Sequence, residues 1–262
     1  MRCLSVAVVA AASTLLVIPL ASAADLPVKA APAPVVVPPL TWAGPYICFN
    51  IGGAWGHTDF VASGNTTAFG PASLAAYNAN GSPTLDSSGV IGGVQIGYNY
   101  QIQNWVFGVE ADFNGLGRRA SYNSGNFLLP TSGATANIQI TDKADWLITA
   151  RGRLGYAFNN WLLYATGGAA WSNINYSWLY QNLTIGVTET VSWTNHSTGW
   201  TVGGGLEWAW TRNWSVRGEY LYIDFGTRST TGFFTPLFTG LPNTHSAHSF
   251  LNLGRIAINY KF

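Results

Sequence analysis

Apolar and polar residues alternate along most of the chain after Trp42, and the alternation is clearest over residues 203–225. In the first half of this stretch the large apolar residues share one parity: Leu206, Trp208 and Trp210. After a break at residues 211–213 the apolar parity resumes on Trp214, Val216, Gly218, Tyr220 and Tyr222. Successive strand residues point to opposite faces of a sheet. The stretch therefore predicts a tight hairpin with one apolar face and one face that carries ionised groups.

The same hairpin plan occurs twice more, over residues 97–113 and 155–171, and each turn ends in an Asn-Trp pair. Across the chain the alternation predicts eight strands, at about residues 45–58, 88–101, 104–116, 144–158, 161–176, 198–211, 214–228 and 248–262. Three connections are very short, at residues 102–104, 159–160 and 211–213, whereas four are long, at 59–87, 117–143, 177–197 and 229–247. Short turns at one end and long loops at the other are typical of outer-membrane barrels.

The predicted fold is therefore all-β. It is an eight-stranded antiparallel up-and-down transmembrane β-barrel over residues 42–262, with short periplasmic turns and four long extracellular loops. An up-and-down order of strands places both ends of the barrel chain on the short-turn side, in the periplasm.

Charged residues are scarce: they make up 9% of the 262 residues, whereas aromatic residues make up 14%. Soluble domains carry about 25% charged residues, so the outside of this chain is predicted to face lipid. The net charge of +1 provides no basic surface for nucleic acid. A soluble barrel of the lipocalin kind would show the same alternation with the faces exchanged. That alternative is disfavoured because the polar face is poor in lysine and the long loops lie on one side only.

Aromatic residues lie at both ends of the apolar faces, where amphipathic rings favour the lipid headgroups. The predicted periplasmic girdle consists of Tyr100, Trp105, Phe158, Trp161, Trp210, Trp214 and Phe262. The predicted outer girdle consists of Trp55, Phe113, Trp146, Trp171, Trp200, Tyr222 and Phe250.

The opposite face carries four acids and four bases: Glu110, Asp112, Arg151, Arg153, Glu207, Arg217, Glu219 and Arg255. A charge on the lipid face costs about 2–4 kcal/mol at the membrane midplane, so these residues are predicted to face inward. An eight-stranded barrel is only wide enough for its own side chains to fill it. The favoured interpretation is a plug of internal ion pairs, and the alternative is a selectivity filter or a catalytic pair.

The first 23 residues have the features of a secretory signal peptide: a basic start, an apolar run and a small-residue site that predicts cleavage between Ala23 and Ala24. An uncleaved anchor helix is the alternative. Residues 24–41 form a Pro/Ala-rich periplasmic segment, interpreted as a disordered spacer or as a tether that contacts peptidoglycan. Loss of the leader removes Cys3 and leaves Cys48 as the one thiol, so no intramolecular disulfide is expected.

Several motifs resemble those of the small alphaproteobacterial outer-membrane β-barrel family, the RopB-like outer-membrane immunogenic proteins of porin-family annotation. They are Ala23-Ala24-Asp25-Leu26-Pro27, Trp42-Ala43-Gly44-Pro45-Tyr46, the run of residues 164–171, and the terminal Asn259-Tyr260-Lys261-Phe262. The resemblance implies a surface-exposed antigenic barrel, sometimes described as a porin, without catalytic residues. Tyr260 and Phe262 resemble the signal that barrel-assembly machinery reads. The expected partners are therefore that machinery during biogenesis, together with outer-membrane lipid and lipopolysaccharide.

Candidate chemistry is sparse, and neither an enzyme nor a cofactor is predicted. His248-Ser249 is the nearest approach to a hydrolytic site, but no carboxylate follows it in the sequence. The histidines His57, His196, His245 and His248 all lie at the outer strand ends or in the long loops. These histidines are the basis of a less favoured hypothesis, that the surface of the protein binds haem or a metal ion.

The leading prediction is a structural, surface-exposed barrel that supports envelope integrity or presents antigenic or adhesive loops. The alternative is a porin-like passive channel for small solutes.

Overall fold

The computed structural model describes residues 40–262, which form a closed antiparallel barrel. Each strand pairs with the next, and β1 closes the ring by pairing with β8. The strands are β1 (Gly44–Ser63), β2 (Thr84–Ile102), β3 (Trp105–Leu129), β4 (Ala134–Phe158), β5 (Trp161–Asn182), β6 (Thr188–Ala209), β7 (Trp214–Phe233) and β8 (Pro242–Lys261). The predicted all-β fold and its ring of eight strands are confirmed. The signal peptide, its cleavage site at Ala23 and Ala24, and the Pro/Ala-rich segment up to residue 39 lie outside the described residues.

The strands extend well beyond the predicted bounds at the outer end of the barrel. β3 and β4 contain 25 residues each, and only residues 130–133 separate them. Most of the residues predicted for the long loops at 117–143 and 177–197 are thus strand, and those loop bounds are corrected. The connection between β1 and β2 contains α1 (Pro71–Asn80), the one helix among residues 40–262.

Alternation along β5 explains why the strands continue. Ile174, Tyr176 and Trp178 face inward and are buried, whereas the residues between them are only partly buried. In the lipid-facing part of the same strand, Leu163 is 57% exposed on the outside. The outside therefore changes from apolar to polar along one strand, while large apolar residues occupy the inside of its outer part. The period of two residues is unbroken, so the strand continues.

A repeated hydrogen-bonding arrangement closes the short-turn end. The side-chain nitrogens of Asn104, Asn160 and Asn213 donate to the carbonyl oxygens of Ala157 (3.0 Å), Ala209 (3.1 Å) and Lys261 (2.8 Å). The backbone N–H of each of those residues in turn donates to the carbonyl oxygen of the same asparagine, at 2.7–2.9 Å. Each Asn-Trp turn is therefore hydrogen-bonded at two points to the next strand of the ring, which accounts for the repetition of asparagine at this position.

The helix α1 lies at the outer end, where its side chains pack against the apolar interior. Pro71 occupies the first turn, where its missing N–H is tolerated, and the N–H of Gly81 caps the helix by donating to the carbonyl oxygen of Tyr77. Ser73 and Tyr77 are its buried residues. None of the helices within residues 40–262 is long and apolar enough to cross a membrane.

Candidate functional site

The charged residues of the predicted interior network come together in the barrel lumen. None of the eight is more than 5% exposed: Glu110, Asp112, Arg151, Arg153, Glu207, Arg217, Glu219 and Arg255. Three pairs of opposite charge are direct partners on adjacent strands: Glu110 with Arg151, Glu207 with Arg217, and Glu219 with Arg255. Direct cross-strand neighbours have Cβ atoms about 5 Å apart. The strand register therefore places acid beside base around the ring.

Arg151 is the centre of this network. Its Nη2 lies 2.9 Å from Glu110 Oε1 and 2.9 Å from Asp112 Oδ2, and its Nη1 lies 3.3 Å from Glu219 Oε2. Arg255 also joins two carboxylates, Asp112 at 3.2 Å and Glu219 at 2.5 Å. Because each of these two arginines joins acids on different strands, their ion pairs form one connected network across the lumen.

Neutral side chains complete the coordination of the carboxylates. Tyr46 and Gln95 donate to Glu110 at 2.9 and 2.6 Å, and Tyr164 donates to Glu219 at 2.8 Å. The guanidinium carbon of Arg153 lies 3.7 Å from the centre of the Tyr164 ring. Buried charges are tolerated when they are both paired and hydrogen-bonded, and this network meets both conditions for its carboxylates.

A buried ion pair that is separate from this network lies further toward the outer end. Arg118 Nη2 is 2.7 Å from Asp142 Oδ2, and both side chains are at most 1% exposed. Thr58 and Ser249 contribute hydroxyls to the same cluster, with Arg118 Nη2 2.7 Å from Thr58 Oγ1 and Arg118 Nη1 3.2 Å from Ser249 Oγ. This pair was not predicted from the sequence, because both residues lie within the predicted loop at 117–143. Both residues fall on the inward-facing parity of β3 and β4, and this parity is the sequence signal that could have revealed the pair.

Apolar side chains and one further carboxylate pack inside the outer end of the barrel. Ile138, Ile140 and Trp178 belong to a buried cluster that fills the interior there. Glu189 is fully buried and accepts hydrogen bonds from the Tyr77 hydroxyl of α1 at 2.8 Å and from Asn243 at 3.1 Å. His245 Nε2 lies 3.0 Å from the same carboxylate.

Burial and the adjacent Glu189 carboxylate raise the pKa of Tyr77 well above its usual value. The neutral phenol therefore holds the helix against the carboxylate across the ordinary pH range. The contact between Tyr77 and Glu189 was not predicted from the sequence, although the Ala-rich run after Pro71 is a signal for a helix.

Residues that precede the first strand pack into the short-turn end of the barrel. Trp42 is 5% exposed and packs with Val106, Leu162 and Ala209 in a second apolar cluster. Its backbone N–H donates to Gln101 Oε1 at 2.7 Å. Trp42 was predicted only as the start of the barrel, and its interior position was not predicted from the sequence.

The residues of the predicted aromatic girdles lie on the outside of the barrel. At the short-turn end, Trp161 contacts Trp208 and Trp210 stacks with Trp214, with ring centres 6.1 and 6.4 Å apart. Toward the outer end, the Tyr222 ring lies 5.5 Å from Trp200 and 6.0 Å from Phe250. The remaining girdle residues are also at least partly exposed: Tyr100, Trp105, Phe158, Phe262, Trp55, Phe113, Trp146 and Trp171. The Tyr260 ring, of the predicted assembly signal, lies 5.1 Å from Phe262.

The four histidines do not form a common site. His245 is buried in the interior, whereas His57 packs against the Phe250 ring and His196 lies near Trp146. No group of three or more potential metal ligands occurs within residues 40–262. His248 and Ser249 are consecutive in β8 and face opposite sides, so they are not a paired base and nucleophile. His248 instead contacts Thr227 at 3.0 Å and Asp224 at 3.5 Å.

Cys48 is the one cysteine among the described residues, and it is buried in the lumen. Its sulfur lies 3.3 Å from Arg217 Nη2. The thiol thus belongs to the wall around the charged network.

A closed antiparallel ring, an apolar exterior bounded by aromatic residues and a charged interior together define an outer-membrane β-barrel. The sequence matches the family described as "Outer membrane protein beta-barrel domain" over residues 13–246. The chain belongs to this family, and its place is the outer membrane of a Gram-negative cell. The alternative of a soluble barrel is therefore wrong.

Curated relatives agree with this assignment. The chain is 32% identical over 252 residues to the 31 kDa outer-membrane immunogenic protein of Brucella melitensis biotype 1, covering 92% of this chain and 93% of the relative. It is 30% identical over 192 residues to the 22 kDa outer membrane protein of Rhizobium leguminosarum bv. viciae, covering 72% and 69%. Among solved structures, outer membrane protease OmpT of Escherichia coli aligns over 84% of this chain and 97% of its own, with 10% identity and a TM-score of 0.42.

Proposed function

We propose that this protein is a non-conducting outer-membrane barrel whose role is structural and surface-facing. It supports the envelope through its lipid-exposed wall and presents its outer strand ends as antigenic or adhesive surface. The observation that supports the proposal is the packing of side chains at three levels of the interior. Trp42 fills the short-turn end, ion pairs cross the middle, and an apolar core with α1 fills the outer end.

The energetics of the central network favour a closed lumen. A pore through it would require Arg151 or Arg255 to leave at least two carboxylates each. Breaking a buried ion pair by removing one partner costs about 3–5 kcal/mol, because an uncompensated charge remains. Several such contacts oppose opening together, so a thermally open channel would be a rare state.

The outer end supports the surface role. Strands β3 to β6 continue far beyond the outer aromatic girdle, with polar residues such as Gln139 and Thr141 exposed on the outside. This geometry raises the outer turns above the lipid headgroups. The relative from Brucella melitensis is named an immunogenic protein, which is consistent with an exposed outer end. Outer-membrane lipid and lipopolysaccharide are the proposed partners of the lipid-facing wall, and barrel-assembly machinery is the proposed partner of Tyr260 and Phe262 during biogenesis.

No catalytic role is proposed. The carboxylates of the lumen are bound by arginines and are closed off from substrate at both ends. Contact of residues 24–41 with peptidoglycan stays a prediction, as does binding of haem or metal at the surface by the loop histidines. The porin-like alternative has no observation in its favour within residues 40–262.

Solute uptake by proteoliposomes tests the proposal. Liposomes that contain the purified barrel are placed in isotonic solutions of small sugars or amino acids, and swelling is followed by light scattering. The expected rate equals that of protein-free liposomes, with a general porin as the positive control. Swelling that increases with the amount of barrel and decreases with solute size would instead establish the porin function.

A further inference from the structure

A cavity of about 250 Å³ lies at the outer end of the barrel, beside α1. All four outer connections or their flanking strand ends contribute to its walls. Phe69 and Ser73 come from the β1–β2 connection, Thr131 comes from the β3–β4 turn, and Ile185 comes from the β5–β6 turn. The β7–β8 connection contributes Phe234 and Phe238. The closed-barrel proposal assigns no role to this cavity.

Hydrogen bonds between the connections hold the cavity in shape. The N–H of Thr131 donates to Ser73 Oγ at 2.9 Å, and the N–H of Ser73 donates to Thr131 Oγ1 at 3.3 Å. Thr188 and Thr235 exchange two backbone hydrogen bonds at 2.8 Å, which joins the last two connections. Ligand sites are usually formed in advance of binding, and this cavity meets that condition.

Aromatic rings form the inner wall. The Phe69, Tyr180 and Phe234 rings have centres 5.3–6.4 Å apart and meet at steep angles. Burial raises the pKa of Tyr180 to about 12, so its phenol is neutral. At the rim, Ile185 is 52% exposed and Phe238 is 45% exposed. Apolar side chains that are exposed together on a protein surface often mark a binding site.

We propose that this cavity binds a small, neutral molecule that contains one aromatic ring and a hydrogen-bond acceptor. A dry cavity of about 150 Å³ lined by Leu, Ile and Phe is large enough for benzene, so the volume here fits a substituted single ring. No charged residue lines the cavity, and burial of an unpaired charge is costly, so the ligand is neutral. The Ser73 hydroxyl accepts a hydrogen bond and donates none within residues 40–262, so its proton is available to the acceptor of the ligand.

The test measures binding of three matched probes to the full barrel in lipid nanodiscs by ligand-detected NMR. Acetophenone carries the ring and a carbonyl acceptor, cumene has the same number of heavy atoms without the acceptor, and benzoate carries a charge. The expected order of affinity is acetophenone, then cumene, then benzoate. Empty nanodiscs at equal lipid concentration correct for partition into lipid.

Four variants locate the site. Ala68→Phe is expected to abolish saturable binding by filling the cavity. Phe238→Ala is expected to weaken binding about tenfold, whereas Leu237→Ala, at an equally exposed neighbour outside the cavity, leaves it unchanged. Ser73→Ala is expected to weaken acetophenone about fivefold and to leave cumene unchanged. Heat-dependent gel mobility verifies that each variant is folded.

Three results would overturn the proposal. They are the absence of saturable binding to the parent barrel, equal binding by the parent and a folded Ala68→Phe variant, and tighter binding of benzoate than of acetophenone. Neither the ion pairs of the lumen nor Trp42 lines this cavity, so failure of the binding test would leave the closed-barrel proposal standing.

Discussion

Two adjacent arginines show how the position of a residue on its strand decides its energetic role. Arg118 faces the interior, where it is 1% exposed and paired with Asp142, whereas Arg119 faces outward and is exposed. The two residues have the same charge and nearly the same sequence surroundings. Their contributions to stability are nevertheless expected to differ greatly, because only Arg118 compensates a buried carboxylate.

Arg118→Ala is therefore expected to lower the free energy of unfolding by about 3–5 kcal/mol, since it leaves Asp142 buried and unpaired. Arg119→Ala is expected to change it by at most about 0.5 kcal/mol. Urea unfolding in liposomes, followed by tryptophan fluorescence and heat-dependent gel mobility, measures both. Equal unfolding midpoints for the two variants would show that the inward pair is not a structural element.

At the scale of elements, the repeated asparagines link the hairpins rather than shape their turns alone. Each of Asn104, Asn160 and Asn213 is bonded at two points to a neighbouring strand. A barrel has no free edge, so its hairpins must keep their register around the whole ring. The side chains of these asparagines add a fixed point at each short turn.

Asn213→Ala is expected to cost about 1 kcal/mol of stability, because the Lys261 carbonyl loses one of its hydrogen bonds. Arg212→Ala, one residue earlier in the same exposed turn, is the matched control and is expected to have no effect. Unfolding midpoints and hydrogen exchange at the C-terminal end of β8 measure the difference. Faster exchange in the control than in Asn213→Ala would contradict the proposed linkage.

The docking of α1 predicts a loss of stability at alkaline pH. The pKa of Tyr77 is raised well above 10 in the folded state, whereas an unfolded tyrosine ionises near 10. Below about pH 10 the neutral phenol is present in both states and its stabilising contribution is complete. As the pH rises above this value the unfolded state loses its proton first, so stability falls.

Tyr77→Phe is expected to cost about 1 kcal/mol at neutral pH, because the hydrogen bond to Glu189 is lost. It is also expected to make the decline in stability between about pH 10 and pH 12 shallower than in the parent. Unfolding midpoints measured at intervals of pH test both statements. Tyr98→Phe, on the lipid-facing wall and 53% exposed, serves as the control. Identical pH profiles for the parent, Tyr77→Phe and Tyr98→Phe would contradict the role of Tyr77.

At the scale of the whole molecule, the faces of the lipid-embedded strands could be predicted from sequence because their period of two residues is strict. The inward position of Glu110 and Arg151 and the outward position of Trp200 follow from parity alone. The outer strand ends could not be predicted in the same way. Beyond the lipid the outside becomes polar and the inside apolar, as at Ile138 and Gln139, so a search for apolar outward faces ends too early.

The closures at the two ends also required the three-dimensional structure. Trp42 precedes the first strand, and its burial depends on Val106 and Leu162, which are distant in sequence. Tyr77 and Glu189 are 112 residues apart, and no local pattern connects them. Parity predicts which residues face inward, but it does not predict which inward residues meet.

Planar-bilayer conductance of the purified full-length protein tests the closed barrel most directly. The parent protein is expected to show no steady conductance above that of the bare membrane, since the ends and the middle of the lumen are filled. Arg151→Ala combined with Trp42→Ala is expected to produce brief, small openings, because one closure is removed and the central network loses its most connected base. A steady open pore of large conductance in the folded parent would contradict the account.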